Sequence, residues 1–352
     1  MSSIAEAHFW RARRVLVTGT TGFKGAWLCA LLARRGAQVS GIALLPETSP
    51  SLWERAGIAA HVEQRFVDLR DAAATAAAVN ALAPQTVLHL AAQALVRAGY
   101  AAPVETYAVN VMGTVHLLEA ARRCPSIEEI VVVTSDKVYA DDPRPGGYDE
   151  GSRLGGADPY AGSKAAAELV VETYRRAFFS APGAPRIATA RAGNVIGGGD
   201  FAPDRLLPDA FRAVSADEPL PLRRPDAVRP WQHVLEPLHG YLTLAEALHA
   251  GRARYDAYNF GPDEAVAVRT VAERFVRAFD VDPARAIRIA SAAEHETAVL
   301  EVDSTRARAD LGWRPRWNTA DAVDRTAEWY RDFLTGEPAA ALIARDLAAY
   351  ES

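Results

Sequence analysis

The sequence has too few cysteines for a disulfide framework and lacks the clusters that bind structural zinc. Its 352 residues include two cysteines, Cys29 and Cys124, and no Cys-x-x-Cys or Cys/His cluster. Both cysteines lie in stretches patterned as helices. We therefore expect buried, reduced thiols and no metal site.

Long apolar runs and a strong excess of one charge are also missing. No stretch approaches the ~18 apolar residues of a membrane-spanning helix, and the first ten residues lack the apolar core of a signal peptide. The net charge of -5 gives no general attraction to nucleic acid or to acidic membranes. We expect a cytoplasmic protein that binds neither, in which any anionic ligand is held by local groups.

Short apolar strands alternate with helical stretches between residues 14 and 191. This alternation is typical of a parallel sheet covered by helices on both faces, the Rossmann-type doubly wound α/β fold. The predicted strands are 14–18, 36–44, 66–69, 86–90, 130–134 and 186–190, and the predicted helices are 26–35, 71–82, 105–123 and 159–179. Ligands of such sheets bind at the carboxyl ends of the strands, so we expect the functional residues there.

A glycine-rich turn joins the first predicted strand to the first predicted helix. Gly19, Gly22 and Gly25 are spaced three apart. Glycines at such positions permit a tight turn and let backbone N–H groups at the positive helix end bind a pyrophosphate. The motif alone is weak, but a strand, turn and helix in this order are what a dinucleotide site requires.

Other strand ends bear on the same dinucleotide. The carboxylate that usually follows the second strand and binds the adenine ribose is absent, because Ala43 and Leu44 stand there. Asp68, in the predicted third strand, is well placed for the adenine edge. Ala91 and Ala92 follow the fourth strand and are small enough for a backbone to approach the cofactor.

The segment from Ser135 to Lys164 carries the strongest catalytic signal. Tyr160 and Lys164 are four residues apart in a predicted helix, so they share one face. A phenol is a poor base at neutral pH, but a neighbouring ammonium stabilises the phenolate and lowers its pKa. Upstream, Ser135-Asp136-Lys137 places polar groups at the carboxyl end of the fifth strand. We expect this segment to remove a proton from a substrate hydroxyl.

The alternation ends after residue 191. We expect residues 1–191 to form the dinucleotide-binding domain, and residues 192–352 mainly a smaller, interleaved α/β substrate domain that supplies a lid. Its predicted elements are a flexible link at 197–200, helices at 204–214, 234–250, 270–279, 303–311 and 320–334, and strands at 258–261 and 286–290. Arg223 and Arg224 are typical solvated loop charges, whereas Arg229, directly before a helix, is a candidate for a diphosphate.

Seven segments together resemble the extended short-chain dehydrogenases/reductases, and among them the nucleotide-sugar 4,6-dehydratases. They are residues 15–25, 89–93, 110–120, 134–139, 158–164, 190–200 and 229–238, and they span nearly the whole chain. Most of these dehydratases have Thr-Asp-Glu where this chain has Ser135-Asp136-Lys137. The lysine there, like Phe23-Lys24 in the glycine turn, is similar to the branch that acts on CDP-glucose.

The resemblance implies a cofactor, a substrate and a reaction. NAD would be the cofactor, and CDP-glucose would be converted to its 4-keto-6-deoxy product without net consumption of NAD. The implied cofactor-binding residues are Gly19, Gly22, Phe23, Lys24, Gly25, Asp68, Leu69, Leu90, Ala91, Ala92, Tyr160 and Lys164. The implied substrate-binding residues are Gln93, Asn194, Arg205, Leu206, Arg229 and His233.

Five residues receive catalytic roles from the resemblance. Tyr160 removes the O4 proton, Lys164 holds the phenolate, and Ser135 orients O4. Asp136 protonates the departing C6 hydroxyl and Lys137 removes the C5 proton, although a bound water could take the part of Lys137. The resemblance also implies a homodimer or a dimer of dimers formed through helices 105–123 and 159–179. The apolar faces of these helices are equally compatible with internal packing.

Two other functions stay open at this point. Another nucleotide-sugar 4,6-dehydratase, or a 4-epimerase or 4-oxidoreductase of the same fold, shares Tyr160 and Lys164, but the epimerase has no use for an adjacent acid and base at Asp136 and Lys137. A non-catalytic dinucleotide sensor needs the glycine turn but not Tyr160.

Overall fold

The computed structural model describes residues 9–142, 146–291 and 297–352. Most of the N-terminal stretch in which we expected no signal peptide lies outside these residues. Within the described part of the chain, no helix is long and apolar enough to cross a membrane. Cys29 and Cys124 are both free and buried, as expected.

In these described ranges, thirteen strands form one large sheet and three small strand pairs. The strands are β1 (Arg14–Thr18), β2 (Gln38–Ala43), β3 (Val62–Phe66), β4 (Thr86–His89), β5 (Glu129–Val133), β6 (Arg186–Arg191), β7 (Val195–Ile196), β8 (Leu220–Leu222), β9 (Val228–Arg229), β10 (Gln232–His233), β11 (Ala257–Asn259), β12 (Val266–Ala267) and β13 (Ile287–Ile289). The large sheet has seven strands in the order β11-β6-β5-β4-β1-β2-β3, and every neighbouring pair is parallel. The Rossmann-type fold is confirmed.

Helices cover both faces of this sheet. They are α1 (Phe23–Arg34), α2 (Leu52–Arg55), α3 (Ala72–Leu82), α4 (Val96–Ala101), α5 (Pro103–Tyr107), α6 (Gly113–Ala121), α7 (Pro159–Phe178), α8 (Leu206–Ala216), α9 (Leu235–His249), α10 (Val268–Arg277), α11 (Pro283–Ala286), α12 (Thr305–Leu311), α13 (Thr319–Leu334) and α14 (Ala339–Glu351). Single 3₁₀ turns occupy Ile58–His61 and Asp136–Val138, and a π-helical turn occupies Ala108–Met112.

Side chains that alternate along each strand contribute to two apolar layers, one on each face of the large sheet. Val15 and Val17 of β1 face one layer, which includes α1 and α9, whereas Leu16 between them faces the layer of α3 and α6. Successive side chains of a strand point to opposite faces, so a strand buried on both sides is apolar throughout. Each such fully buried aliphatic side chain contributes roughly 1.5–3 kcal/mol to folding.

The helix that carries Tyr160 begins at a defined cap. The Asp158 side chain accepts a hydrogen bond from the backbone N–H of Ala161, and Pro159 occupies the first turn. Both features are typical of a helix start, because a carboxylate satisfies a free N–H group and proline needs no donor there. The cap fixes Tyr160 in the first turn of α7, at the carboxyl edge of the sheet.

Two predicted elements were placed wrongly, and one helix was missed. The third strand is β3, which ends at Phe66, so Asp68 and Leu69 follow the strand instead of forming it. The predicted single helix 105–123 is two helices joined by the π turn at Ala108–Met112, and α4 precedes them. The chain also has a helix, α14, beyond the last predicted one, where Leu342, Ile343 and Leu347 are buried.

The supposed flexible link at 197–200 is a packed segment. A Cβ atom at Gly198 would lie 2.0 Å from the Trp329 ring, and one at Gly199 would lie 2.4 Å from the Leu52 side chain. The Gly198 carbonyl accepts a hydrogen bond from Trp27 Nε1 at 3.0 Å. Glycine is needed here for close approach to large side chains and not for mobility.

Elements beyond residue 191 return to the large sheet. β11 pairs with β6 at its edge, and α9 packs on the face formed by β5 and β6 through Leu238, Tyr241 and Leu242. The three strand pairs β7/β10, β9/β12 and β8/β13 lie outside the large sheet. A division of the chain at residue 191 stays a prediction.

Candidate active site

A cavity of about 1280 Å³ opens at the carboxyl edge of the large sheet. Its volume exceeds the roughly 300–1,000 Å³ of a pocket for one drug-sized ligand, so it has room for two ligands side by side. Of the predicted site residues, all except His233 line it: Gly19, Gly22, Phe23, Lys24, Gly25, Asp68, Leu69, Leu90, Ala91, Ala92, Gln93, Ser135, Asp136, Lys137, Tyr160, Lys164, Asn194, Arg205, Leu206 and Arg229. The sequence therefore located the cavity correctly.

The glycine turn between β1 and α1 forms a tight cradle. A Cβ atom at Gly25 would lie 2.0 Å from the Gly19 carbonyl oxygen. Gly19 has φ +77°, and a Cβ there would lie 2.9 Å from the Ala91 backbone. Gly22 directly precedes α1, so the first N–H groups of this helix face the cavity. These residues fit a dinucleotide pyrophosphate.

Thr18 ties this cradle to the end of β4. Its hydroxyl oxygen accepts hydrogen bonds from the backbone N–H groups of Leu90 at 3.1 Å and Ala91 at 3.0 Å. His89 Nδ1 lies 2.7 Å from the same hydroxyl, and burial lowers the pKa of His89 to about 3. His89 is therefore neutral at pH 7 and acts as a structural hydrogen-bonding group.

The end of the cavity that adjoins β2 and β3 carries the carboxylates of Asp68 and Glu47. Arg70 Nε donates to Asp68 Oδ2 at 2.9 Å, and this hydrogen bond is the main reason that the pKa of Asp68 is lowered. Leu44 lies on the cavity wall after β2, where the usual acid is missing. Glu47 was not predicted, because it comes three residues beyond that position.

Ser135 connects the candidate base and the candidate acid. Its hydroxyl donates to Asp136 Oδ1 at 3.1 Å, and its side chain lies near the phenol of Tyr160, whose pKa it lowers. The backbone N–H of Lys137 donates to the Ser135 oxygen at 3.2 Å, because Ser135 caps the 3₁₀ turn that follows β5. One short turn thus brings the predicted catalytic groups together.

Tyr160 differs from the prediction in its electrostatics. Burial raises its pKa, as does the charge of Asp136, whereas Ser135 and the charge of Arg205 oppose that rise. The lowering by Lys164 that we expected is wrong for the protein without ligands, since Lys164 Nζ donates to the Val133 carbonyl at 3.1 Å. Burial also lowers the pKa of Lys164 to about 8. The cation that favours the phenolate here is Arg205.

Asp136 is buried and held on both oxygens. Asn194 Nδ2 donates to Oδ2 at 3.0 Å, and Ser135 donates to Oδ1. Asn194 adopts a left-handed backbone conformation with φ 49°, which aims its amide at the carboxylate. The amine of Lys137 lies half-buried on the cavity wall beside these groups.

The chain contains three lysines, Lys24, Lys137 and Lys164, among 39 lysines and arginines, and all three line this cavity. Lysine differs from arginine in that its pKa shifts readily on burial, so it can act as a neutral amine. Burial is the largest of several causes that lower the pKa of Lys24 to about 7, followed by the charge of Arg205. The sequence shows that lysine is scarce, and the structure shows that all three lysines line one cavity.

Four of the predicted substrate residues have partners within the protein. Gln93 Nε2 donates to Thr106 Oγ1 at 2.9 Å, and Arg205 Nη1 donates to Asp200 Oδ2 at 2.8 Å. Arg229 is buried, and its Nη1 donates to the Val228 carbonyl at 2.8 Å. Asn194 binds Asp136, and Leu206 begins α8.

The predicted role of His233 was wrong. Its ring is fully buried between Trp317 and Trp27, with centroids 4.8 Å and 5.9 Å away. Nδ1 accepts a hydrogen bond from the Leu235 N–H at 3.3 Å, and burial lowers the pKa of His233 to about 3. The histidine is therefore a core residue.

Comparison with known proteins gives a consistent picture. Residues 15–261 match the sequence model of the NAD dependent epimerase/dehydratase family. The chain is 40% identical over 354 residues to CDP-glucose 4,6-dehydratase of Salmonella typhimurium, covering 99% of this chain and 98% of that protein. It is 27% identical over 331 residues to dTDP-glucose 4,6-dehydratase of Actinoplanes, covering 90% and 98%.

Solved structures agree with this picture. The dTDP-glucose 4,6-dehydratase of Streptomyces venezuelae, solved with NAD and TYD bound, superposes with a TM-score of 0.79 at 26% identity, covering 93% of this chain and 99% of that one. A UDP-glucose-4-epimerase of Stenotrophomonas maltophila has a TM-score of 0.80 at 24% identity, covering 92% and 99%, and shows the shared fold.

Proposed function

The chain belongs to the NAD dependent epimerase/dehydratase family, and on that premise we propose that it is a nucleotide-sugar 4,6-dehydratase that converts CDP-glucose to CDP-4-keto-6-deoxyglucose. The proposal has three supports: the 40% identity to a CDP-glucose 4,6-dehydratase over the full chain, the cavity, and the arrangement of its polar groups.

NAD is the cofactor, and bound in this cavity it would supply the hydride chemistry at C4 and C6 of the hexose. The N–H groups at the start of α1, with the close approach that Gly19 and Gly25 permit, would hold its pyrophosphate. Asp68 would bind the adenine edge, and Lys164 the ribose next to the nicotinamide.

Tyr160 takes the proton from O4. The phenol needs a positive neighbour to act as a base, because burial alone raises its pKa. Arg205 supplies one charge in the protein without ligands. In the complex with cofactor and substrate, Lys164, one helical turn away on the same face, supplies a second. Ser135, beside the phenol, orients the O4 hydroxyl towards it.

Asp136 and Lys137 perform the elimination. A ketone at C4 acidifies the C5 hydrogen, so the amine of Lys137 removes the C5 proton while Asp136 protonates the departing C6 hydroxyl. The water leaves, and a proton is returned to C5. The nucleotide sugar would bind in the part of the cavity lined by Gln93, Asn194, Arg205, Leu206 and Arg229.

The observation that carries the proposal is the position of Ser135 between Tyr160 and Asp136. Its hydroxyl donates to the Asp136 carboxyl group, and its side chain is near enough to the Tyr160 phenol to lower the pKa of that phenol. A base for O4 and an acid for a leaving hydroxyl therefore lie on either side of one serine. A 4-epimerase needs only the base, and a dinucleotide sensor needs neither.

The test is incubation of the purified protein with CDP-glucose, UDP-glucose and dTDP-glucose, with and without a catalytic amount of NAD⁺, followed by NMR of the products. We expect a 4-keto-6-deoxy sugar from CDP-glucose in preference to the others. A galactose-configured product would establish an epimerase instead. The absence of any product, with NAD bound, would establish a sensor.

We also propose that the protein is a homodimer in the cytoplasm. Four large apolar side chains are exposed on the helices that we expected to form the contact. They are Val104 on α5, Met112 in the π turn, and Leu169 and Phe178 on α7. Apolar side chains grouped in this way favour a helix-packing interface. The two buried free thiols are compatible with a reducing compartment.

A further inference from the structure

Below the candidate active site, the carboxylate of Glu168 is the centre of a buried hydrogen-bond network. Glu168 is 5% exposed. Oε1 accepts from Thr134 Oγ1 at 2.5 Å and from Arg191 Nε at 3.0 Å. Oε2 accepts from Thr189 Oγ1 at 2.8 Å and from Arg191 Nη2 at 2.8 Å. Four donors thus satisfy both oxygens of one carboxylate.

This network joins the three segments that carry the reacting groups. Glu168 lies on α7, one turn after Lys164 and two turns after Tyr160. Thr134 directly precedes Ser135 at the end of β5. Arg191 is the last residue of β6. Asn194, whose side chain donates to Asp136, follows three residues later. A change at Glu168 is therefore transmitted to the ends of both strands and to the helix.

Glu168 is the anion one helical turn from Lys164. The buried ammonium of Lys164 donates to the Val133 carbonyl, which is a neutral group. Burial lowers the pKa of Lys164, and the charge of Glu168 opposes that change. Lys164 is also one helical turn from Tyr160, so loss of its proton removes a positive charge from the face of the helix that carries the phenol.

Other titratable groups face these two residues from the neighbouring elements. Lys24 on α1 and His89 at the end of β4 feel the charge of Lys164. Arg191, whose Nη1 donates to Tyr139 Oη at 3.1 Å, faces Glu168 from β6. His89 is neutral and Lys24 is cationic or neutral, so Glu168 is the anion among these groups that favours the ammonium.

We propose that Glu168 is a positioning residue for the reaction, which holds Lys164 in its charged form and fixes the ends of β5 and β6 against α7. This inference rests on the proposed function for its kinetic consequence, but its effect on Lys164 is independent of the substrate. Glu168 touches no reacting atom and acts through Lys164, Thr134 and Arg191.

The test compares Glu168→Gln, which removes the charge at nearly constant shape, with Thr189→Val, which removes one hydrogen bond to the same carboxylate and keeps every charge. The protonation of Lys164 is measured in the ligand-free protein by the pH dependence of its acetylation, read by mass spectrometry. Because the chain has three lysines, the peptide that contains Lys164 is assigned without ambiguity. The pH dependence of turnover on CDP-glucose is measured in parallel.

We expect the acetylation midpoint of Lys164 to fall by roughly one pH unit in Glu168→Gln and to stay in place in Thr189→Val. The decline of turnover at alkaline pH should begin about one pH unit lower as well, so that turnover at pH 8 falls about fivefold while KM at low pH is unchanged. Glu168→Asp keeps the charge, so its turnover should have the same dependence on alkaline pH as that of the wild type, even if its Tm is lower.

Equal midpoints in Glu168→Gln and the wild type would show that the carboxylate has a structural role only, and would overturn the inference. A shifted midpoint without any dehydratase activity would support the inference and refute the proposed function. If Glu168→Gln does not fold, the double variant Glu168→Gln/Arg191→Met is used, because it leaves no unpaired guanidinium in the core. Its Lys164 acetylation midpoint is then compared with that of the wild type.

Discussion

The backbone of Gly193 lies directly against the carboxyl group of Asp136. A Cβ atom at Gly193 would lie 1.8 Å from Oδ1 and 2.1 Å from Oδ2. Real Cβ atoms never come so close to an oxygen, so any side chain at Gly193 displaces the carboxyl group from Asn194 and Ser135. Gly193 is therefore required by the candidate acid and not by its own backbone conformation.

We predict that Gly193→Ala lowers turnover on CDP-glucose by about 10² or more, the scale of a positioned acid or base. The matched control is Gly151→Ala, in which the nearest atom to the new Cβ would be Asp149 Oδ1 at 3.5 Å, an ordinary contact. Steady-state kinetics and Tm are measured for both variants. Wild-type turnover in Gly193→Ala would mean that the position of Asp136 is not important for the reaction.

Tyr160→Phe should lower turnover by about 10² or more and leave the fold intact, because it removes only the group that takes the O4 proton. The control is Tyr174→Phe, on the same helix, whose ring packs on Phe178 with centroids 5.2 Å apart. Tyr174→Phe should behave as the wild type. If the two variants have equal turnover, Tyr160 has no part in the chemistry.

Lys137→Ala tests the assignment of the base at C5. We expect substrate binding, measured by calorimetry, to be unchanged and formation of the 4-keto product to fall by about 10² or more. In D₂O the wild-type protein should introduce deuterium at C5, and NMR should show that the rate of this incorporation falls in the variant. An unchanged incorporation rate would assign the proton transfer to a bound water instead.

Features set by the local sequence could be predicted, whereas features set by contacts between distant segments could not. The glycine turn, the Ser135-Asp136-Lys137 segment and the Tyr160/Lys164 pair were located correctly, because each is set by a strand end or a helix start that the local sequence specifies. Gly198 and His233 were misjudged, because their roles depend on Trp329 and Trp317 from α13 and the segment before it. The effect of Arg205 on the pKa of Tyr160 likewise depends on two segments that are distant in the sequence.

The exposed apolar side chains of α5 and α7 predict the oligomeric state. Val104 is 83% exposed, so a charge there should not harm the fold but should oppose a helix-packing interface. We expect Val104→Arg to shift the mass measured by light scattering from dimer towards monomer. The control is Leu334→Arg, which is 53% exposed at the end of α13 and should leave the dimer intact. A monomeric wild-type protein, or equal masses for all three, would contradict the proposed dimer.

Lys24 should make the stability of the cofactor-free protein depend on pH. Its pKa is lowered from 10.5 to about 7, chiefly by burial. Below pH 7 both the folded and the unfolded chain carry the ammonium, and the folded state bears the full cost of desolvating it. Between pH 7 and 10.5 the unfolded chain binds more protons at this site, so the contribution of Lys24 to the free energy of unfolding rises with pH.

Lys24→Met removes this cost, so we predict a higher Tm than the wild type, with the largest difference below pH 7 and a smaller one as the pH rises towards 10.5. The control is Lys24→Arg, which keeps a charge that is not lost in this range and should therefore show no such gain. Calorimetry at pH 6, 7, 8 and 9 gives the comparison. A difference in Tm that is constant over this range would show that Lys24 keeps an ordinary pKa and that its ammonium is solvated by the open part of the cavity.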